Sequence, residues 1–83
     1  MRLRRDGLST RELDGKLVIL DLQQSQYLTL SETGTLLLRL LEQGRRSEEL
    51  VEALVDGYDV DRDVAVRDVD SFVAQLVEAG LTE

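Results

Sequence analysis

Cysteine, histidine, proline and tryptophan are absent from this chain of 83 residues, and its aromatic side chains are two tyrosines and one phenylalanine. Without cysteine there is no disulfide and no thiolate nucleophile. Without histidine the usual zinc ligand and the commonest general base at neutral pH are gone as well. Most enzyme mechanisms are thereby excluded, and a non-catalytic protein with no metal and no cofactor is expected. The 17 acidic residues do not change this, because they are scattered through helical segments at spacings that suit a solvated face. Long apolar runs are lacking too: none reaches the roughly 18 residues of a membrane span, and none of signal-peptide length follows Arg2, Arg4 and Arg5. The expectation is a cytoplasmic protein with no membrane association.

Positive charge is scarce. Ten Lys and Arg against 17 Asp and Glu give a net charge of −7. Residues 1–16 hold five basic and three acidic groups (+2), and residues 17–83 hold five and fourteen (−9). An acidic body repels phosphate backbones, so nucleic acid is not an expected partner. A chain this short forms one modest core, burying roughly 60–65% of its unfolded surface, which predicts a single domain over residues 1–83. No internal repeat or low-complexity segment interrupts it.

The segment Leu17 to Gly34 carries the most information. Leu17 to Leu22 is nearly all apolar, which suits a central strand covered on both faces. Tyr27 to Leu30 alternates: Leu28 and Leu30 point to one side, Tyr27 and Thr29 to the other, as in a strand at a sheet border. Leu8 to Leu13 makes a first strand, joined to Leu17 through the two-residue turn Asp14-Gly15. A border strand has free backbone donors and acceptors, which accept an extended peptide as an additional strand.

Three helices follow. Ser31 is placed to cap the first, whose Leu36, Leu37, Leu40 and Leu41 share a face and which stops near Gly44. Leu38 falls off that face, so it either widens the buried arc or touches a partner. Ser47 with Glu48 and Glu49 starts a second helix carrying Leu50, Val51, Leu54 and Val55 and ending around Gly57. Asp61 opens a third, from about Arg62 to Ala79, with a wide apolar stripe of Ala65, Val66, Val69, Phe72, Val73, Leu76 and Val77. Gly80 closes it and Leu81 tucks back. The fold class is therefore α+β and winged-helix-like, a three-stranded antiparallel sheet followed by three helices.

Three patterns have duller explanations. Asp59, Asp61 and Asp63 have the spacing of a calcium loop, but Val64 stands at the glycine position and Asp70 at the final glutamate, so a turn and a helix cap account for them better. Asp70-Ser71-Phe72 is similar to the attachment site of an acyl carrier protein, but it lies inside the last helix of a chain with strands, and a solvent-facing serine suffices. A winged-helix DNA reader needs a basic recognition helix, whereas the third helix sets Arg62 and Arg67 against Asp63, Asp68, Asp70 and Glu78.

From Leu17 onward the chain resembles the PqqD-like family, the precursor-peptide recognition elements of ribosomally made, post-translationally modified peptides. The residues carrying the resemblance are Leu20 and Asp21, then Tyr27, then Leu30, Ser31, Thr33 and Gly34, then Ser47 to Leu50, then Asp68, Val69, Phe72, Leu76, Gly80 and Leu81. Ser31 replaces the family's usual asparagine and keeps the capping function. Leu38 stands where many members have tryptophan, and the turn Gln23 to Gln26 lacks the customary glycine. The resemblance implies a winged-helix-like body that binds the leader segment of a precursor peptide and hands it to modifying enzymes. The leader would add as a strand along Tyr27, Leu28, Thr29 and Leu30, with apolar side chains entering a groove beside Val69, Phe72, Val73 and Leu76 and with Asp68 available to a basic leader residue.

The free-standing B1 type of lasso-peptide biosynthesis fits best, since the pyrroloquinoline quinone chaperones typically carry proline in the hairpin. The partners so implied are a leader peptide and a leader peptidase or other modifying enzyme, such as a cyclase or a radical enzyme. A monomer or weak homodimer is expected, with pairing of two copies through the border strand as a competing use of that edge. The competing function is a DNA-binding winged-helix regulator. From the residues alone, Val69, Phe72 and Leu76 also read as ordinary core.

Overall fold

In the computed structural model, which describes residues 2–83, the elements run β1 (Leu8–Leu13), β2 (Lys16–Asp21), β3 (Gln26–Thr29), α1 (Glu32–Glu42), α2 (Ser47–Tyr58) and α3 (Arg62–Glu78). The strands form one antiparallel sheet in the order β1-β2-β3. β2 is central and β3 is a border strand, as the alternation at Tyr27 to Leu30 predicts. Asp14 and Gly15 both take positive φ (53° and 79°), the turn that matches the strand twist.

Leu17 and Ile19 of β2 meet Leu30, Leu37 and Leu38, then Leu50, Val51 and Leu54 of α2, and Ala65, Val69, Phe72 and Leu76 of α3, in one continuous core. Leu38 lies at its centre with no exposed surface, so it widens the buried arc of α1, and Leu36 and Leu40 are only half-buried. β2 departs from the expected double cover. Leu17, Ile19 and Asp21 are buried, but Val18 and Leu20 on the other face are only partly covered, because all three helices pack on one side of the sheet. Leu22, expected at the end of the strand, is exposed in the turn.

Local chemistry fixes the joints. Ser31 Oγ accepts from Gly34 N–H (3.0 Å), capping α1, and Thr35 Oγ1 in the next turn accepts from the N–H of Leu17 (2.9 Å), fastening α1 to the first residues of β2. The cap of α2 is Arg46 rather than Ser47, with the Glu49 carboxylate accepting from the Arg46 N–H (3.2 Å). α3 ends at Ala79, with Gly80 in the left-handed region (φ 73°). There Gly80 N–H donates to Val77 O and Leu81 N–H donates to Leu76 O, the paired bonds of a glycine-terminated helix. This turn buries Leu81 and aims the chain back across the sheet. No helix among the described residues is long and apolar enough to cross a membrane.

Candidate peptide-binding groove

Hydrogen-bond alternation decides which backbone groups of β3 are free. Leu30 N–H donates to Leu17 O (2.9 Å), opposite in the register that pairs Val18 with Thr29 and Leu20 with Tyr27. In an antiparallel pair bonded and non-bonded positions alternate. Leu28 and Gln26 therefore bond to β2 together with Leu30, while the N–H and C=O of Tyr27 and Thr29 point outward. Among the described residues no strand pairs with that outer edge. The N-terminal residues run elsewhere, with Leu3 paired to Thr82.

Beyond the open edge, α3 packs along α2 and stands off from β3, leaving a groove. Its wider part, about 480 Å³, runs between Thr29, Leu30 and the first turn of α1 on one side and Asp68, Ser71, Phe72 and Gln75 of α3 on the other. A smaller hollow of about 210 Å³ adjoins it, lined by Asp21, Gln26, Tyr27, Leu28, Ala79 and Leu81. Phe72 forms the apolar floor of the wider part, and an added Cβ on Gly34 would lie 3.7 Å from its ring. Among the described residues the charged lining is one carboxylate in each hollow, exposed Asp68 in the wider part and buried Asp21, paired with Arg4, in the smaller.

Asp21 is the buried anchor of the hairpin. One carboxylate oxygen accepts from Arg4 (2.7 Å) and from the N–H groups of Gln23 and Gln24 (3.1 and 3.2 Å), and the other accepts from the Gln24 side chain (2.8 Å). Burial pushes its pKa up, but the Gln24 amide, the Arg4 guanidinium and the Gln23 amide together outweigh burial and hold it below the ordinary aspartate value. The carboxylate replaces the missing glycine as organiser of the turn, while Ser25 takes the positive φ (53°).

Of the residues singled out from sequence, Tyr27, Leu28, Thr29, Leu30, Asp68 and Phe72 lie on the groove. Val69 and Leu76 are 1% and 0% exposed and are core beneath it. Val73 belongs to a different hollow, beside Leu41, Ser47 and Leu50. At about 100° per residue it lies about 160° around the helix from Gln75, so a single apolar stripe cannot present both to one groove. Ser71, Gln75, Gly34 and Ala79 were not anticipated. Helical spacing from Asp68 could have found Ser71, Gln75 and Ala79, which follow it at i+3, i+7 and i+11 and continue a polar-to-small stripe flanking the core stripe on the sheet side.

The family model described as Coenzyme PQQ synthesis protein D (PqqD) matches residues 16–81. No curated protein matches the chain significantly. Two solved structures are similar along nearly all of it. One is described as TbiB1 in complex with the TbiA(beta) leader peptide (35% identity, TM-score 0.91, covering 100% of this chain and 95% of that one). The other is described as a lasso peptide synthetase B1 complexed with the leader peptide (31% identity, TM-score 0.89, covering 96% and 93%). With its open border strand, the groove beside it and these likenesses, the chain belongs to the PqqD-like family and is of the B1 type.

Proposed function

We propose that the protein binds the leader segment of a ribosomally synthesised precursor peptide as a fourth strand on the outer edge of β3, and delivers it to the leader peptidase and cyclase of lasso-peptide biosynthesis. The observation that carries this reading is the outward-pointing N–H and C=O groups of Tyr27 and Thr29, which face a groove that α3 leaves open. The two B1 structures, each described with a leader peptide, support it. Main-chain bonds to Tyr27 and Thr29 set register, while side chains over Phe72 and in the hollow beside Leu28 and Leu81 set specificity, since every peptide has a backbone. The chain acts as one non-catalytic recognition domain over residues 1–83 in the cytoplasm.

About four main-chain bonds at roughly 1 kcal/mol each and two or three buried anchors at about 2 kcal/mol each are offset by several kcal/mol for ordering the peptide. Micromolar binding, about −8 kcal/mol, therefore requires well-filled anchor sites. A DNA-reading role is disfavoured by α3 itself: Arg62 is tied to Glu52 (2.6 Å), and exposed acids Asp63, Asp68, Asp70 and Glu78 dominate the remainder.

The test is a fluorescence-anisotropy titration with labelled leader peptides from neighbouring small open reading frames, with random duplex DNA as the control. Saturable micromolar or tighter binding to one leader is expected. Binding to DNA alone would overturn the reading.

A further inference from the structure

We propose that Arg4 is a positioning residue for the peptide, a brace that holds the two walls of the smaller hollow at a fixed separation. This rests on the reading of the groove as a peptide site. The guanidinium reaches both walls at once. One nitrogen donates to the carbonyl of Gly80 (2.7 Å), where α3 turns into the tail, and another donates to the Asp21 carboxylate (2.7 Å), at the base of the β2–β3 turn. A third donates to Asp6 O (3.1 Å) and fixes the side chain against its own backbone.

The segment bearing Arg4 is itself pinned to the tail. Arg4 N–H donates to Leu81 O (2.7 Å), Glu83 N–H to Arg2 O (3.0 Å), and Leu3 pairs with Thr82. On the other side Leu22 N–H donates to Gly7 O (2.7 Å), so the same segment also grips the hairpin turn. The hollow spanned by this clasp has Gln26, Tyr27 and Leu28 on one wall and Ala79 and Leu81 on the other. Between those walls Arg4 supplies a charged, two-ended link from separate nitrogens of one planar guanidinium, a fixed fork that the compact ammonium of lysine does not reproduce.

Arg4 and the segment bearing it lie outside residues 16–81 while its partners Asp21, Gly80 and Leu81 lie within them, and the clasp acts on only one end of the groove. Asp68, Ser71 and Phe72 line the other end and have no bond to it. Without the brace the walls sample wider separations, and affinity falls by the fraction of molecules still holding the binding-competent spacing. If that fraction drops to about a tenth, the Kd rises about tenfold.

The experiment compares Arg4→Gln, Arg4→Lys and the exposed control Arg5→Gln in two measurements. In the free protein, residue-resolved amide exchange is expected to quicken at Leu22, Gln24 and Leu81 in Arg4→Gln, with Leu30 and Val69 unchanged. In binding, an alanine scan of the leader is titrated against each variant. Arg4→Gln is expected to weaken the intact leader about tenfold, and the loss is expected to disappear for the leader positions that occupy the hollow. It is expected to add undiminished to changes at positions lying over Phe72. Arg4→Lys is expected to behave like Arg4→Gln, and Arg5→Gln like the wild type.

A folded Arg4→Gln protein that binds within twofold of the wild type overturns the brace. So does a loss that adds equally to every leader substitution, which is the mark of general destabilisation. Failure of the wild type to bind any leader, with the exchange pattern as expected, overturns the peptide reading of the groove and the role of Arg4 in binding with it.

Discussion

Proline substitution separates the two faces of β3. Thr29 presents its N–H outward, away from β2, so in the free protein Thr29→Pro removes a donor that bonds only to water. A border strand tolerates that change. In the complex the same donor would meet a leader carbonyl, which proline leaves buried and unpaired at a cost of about 1–3 kcal/mol. At tenfold per 1.4 kcal/mol this is a loss of about fivefold to 150-fold in affinity. Leu28→Pro does the opposite. It breaks a bond within the sheet and removes a half-buried side chain, together about 2–4 kcal/mol of stability. At about 4–8 °C per kcal/mol for a domain this size, that lowers the melting temperature by at least roughly 8 °C. Thermal melts and anisotropy titrations of both variants give the comparison. A folded Thr29→Pro protein that binds its leader within twofold of the wild type would refute strand addition at this edge.

Three further outcomes follow from the same geometry. Ser71→Trp, at an exposed helix position on the groove wall, should block leader binding by at least about tenfold while shifting the melting temperature by only a few degrees; unimpaired binding would place the peptide elsewhere. Val73→Asp should lower the melting temperature by several degrees yet leave affinity unchanged, since Val73 faces the α1–α2 side, and a loss of binding in a folded variant would return it to the site. The depressed pKa of Asp21 means that its stabilising contribution is complete above the ordinary aspartate value of about 3.9 and is lost as pH falls through the lower folded value. Melting temperature measured against pH should therefore fall below about pH 4. Asp21→Asn should melt lower at neutral pH with a flatter acid limb, and an identical acid limb would contradict this; Glu49, lowered chiefly by its bond with Arg45, adds in the same direction in both proteins.

Where a local signal existed, the sequence was legible. Ser31, Gly44 and Gly80 mark helix ends because capping chemistry is written in single residues, and α1 and α3 end within a residue or two of where those signs put them. The border position of β3 was legible from the alternation at Tyr27 to Leu30. The flanks of α3 were not. A wide apolar stripe does not reveal which side a sheet will approach, so the sequence assigns Val73 to the groove and Ser71 to solvent and does not single out Gln75. The double cover expected for β2 failed for the same reason: apolarity of Val18 and Leu20 does not say how many layers will cover them. The brace from Arg4 to Asp21 and Gly80 has no signal at all in one sequence, because its partners lie 17 and 76 residues away.

The most direct test of strand addition is residue-resolved amide exchange with and without a saturating leader peptide. Tyr27 and Thr29, whose N–H groups face outward, should exchange rapidly in the free protein and become protected on binding. Leu28 and Leu30, already bonded to β2, should be protected in both states. That alternating response would establish the leader as a fourth strand. Saturable binding with no new protection at Tyr27 and Thr29 would contradict it.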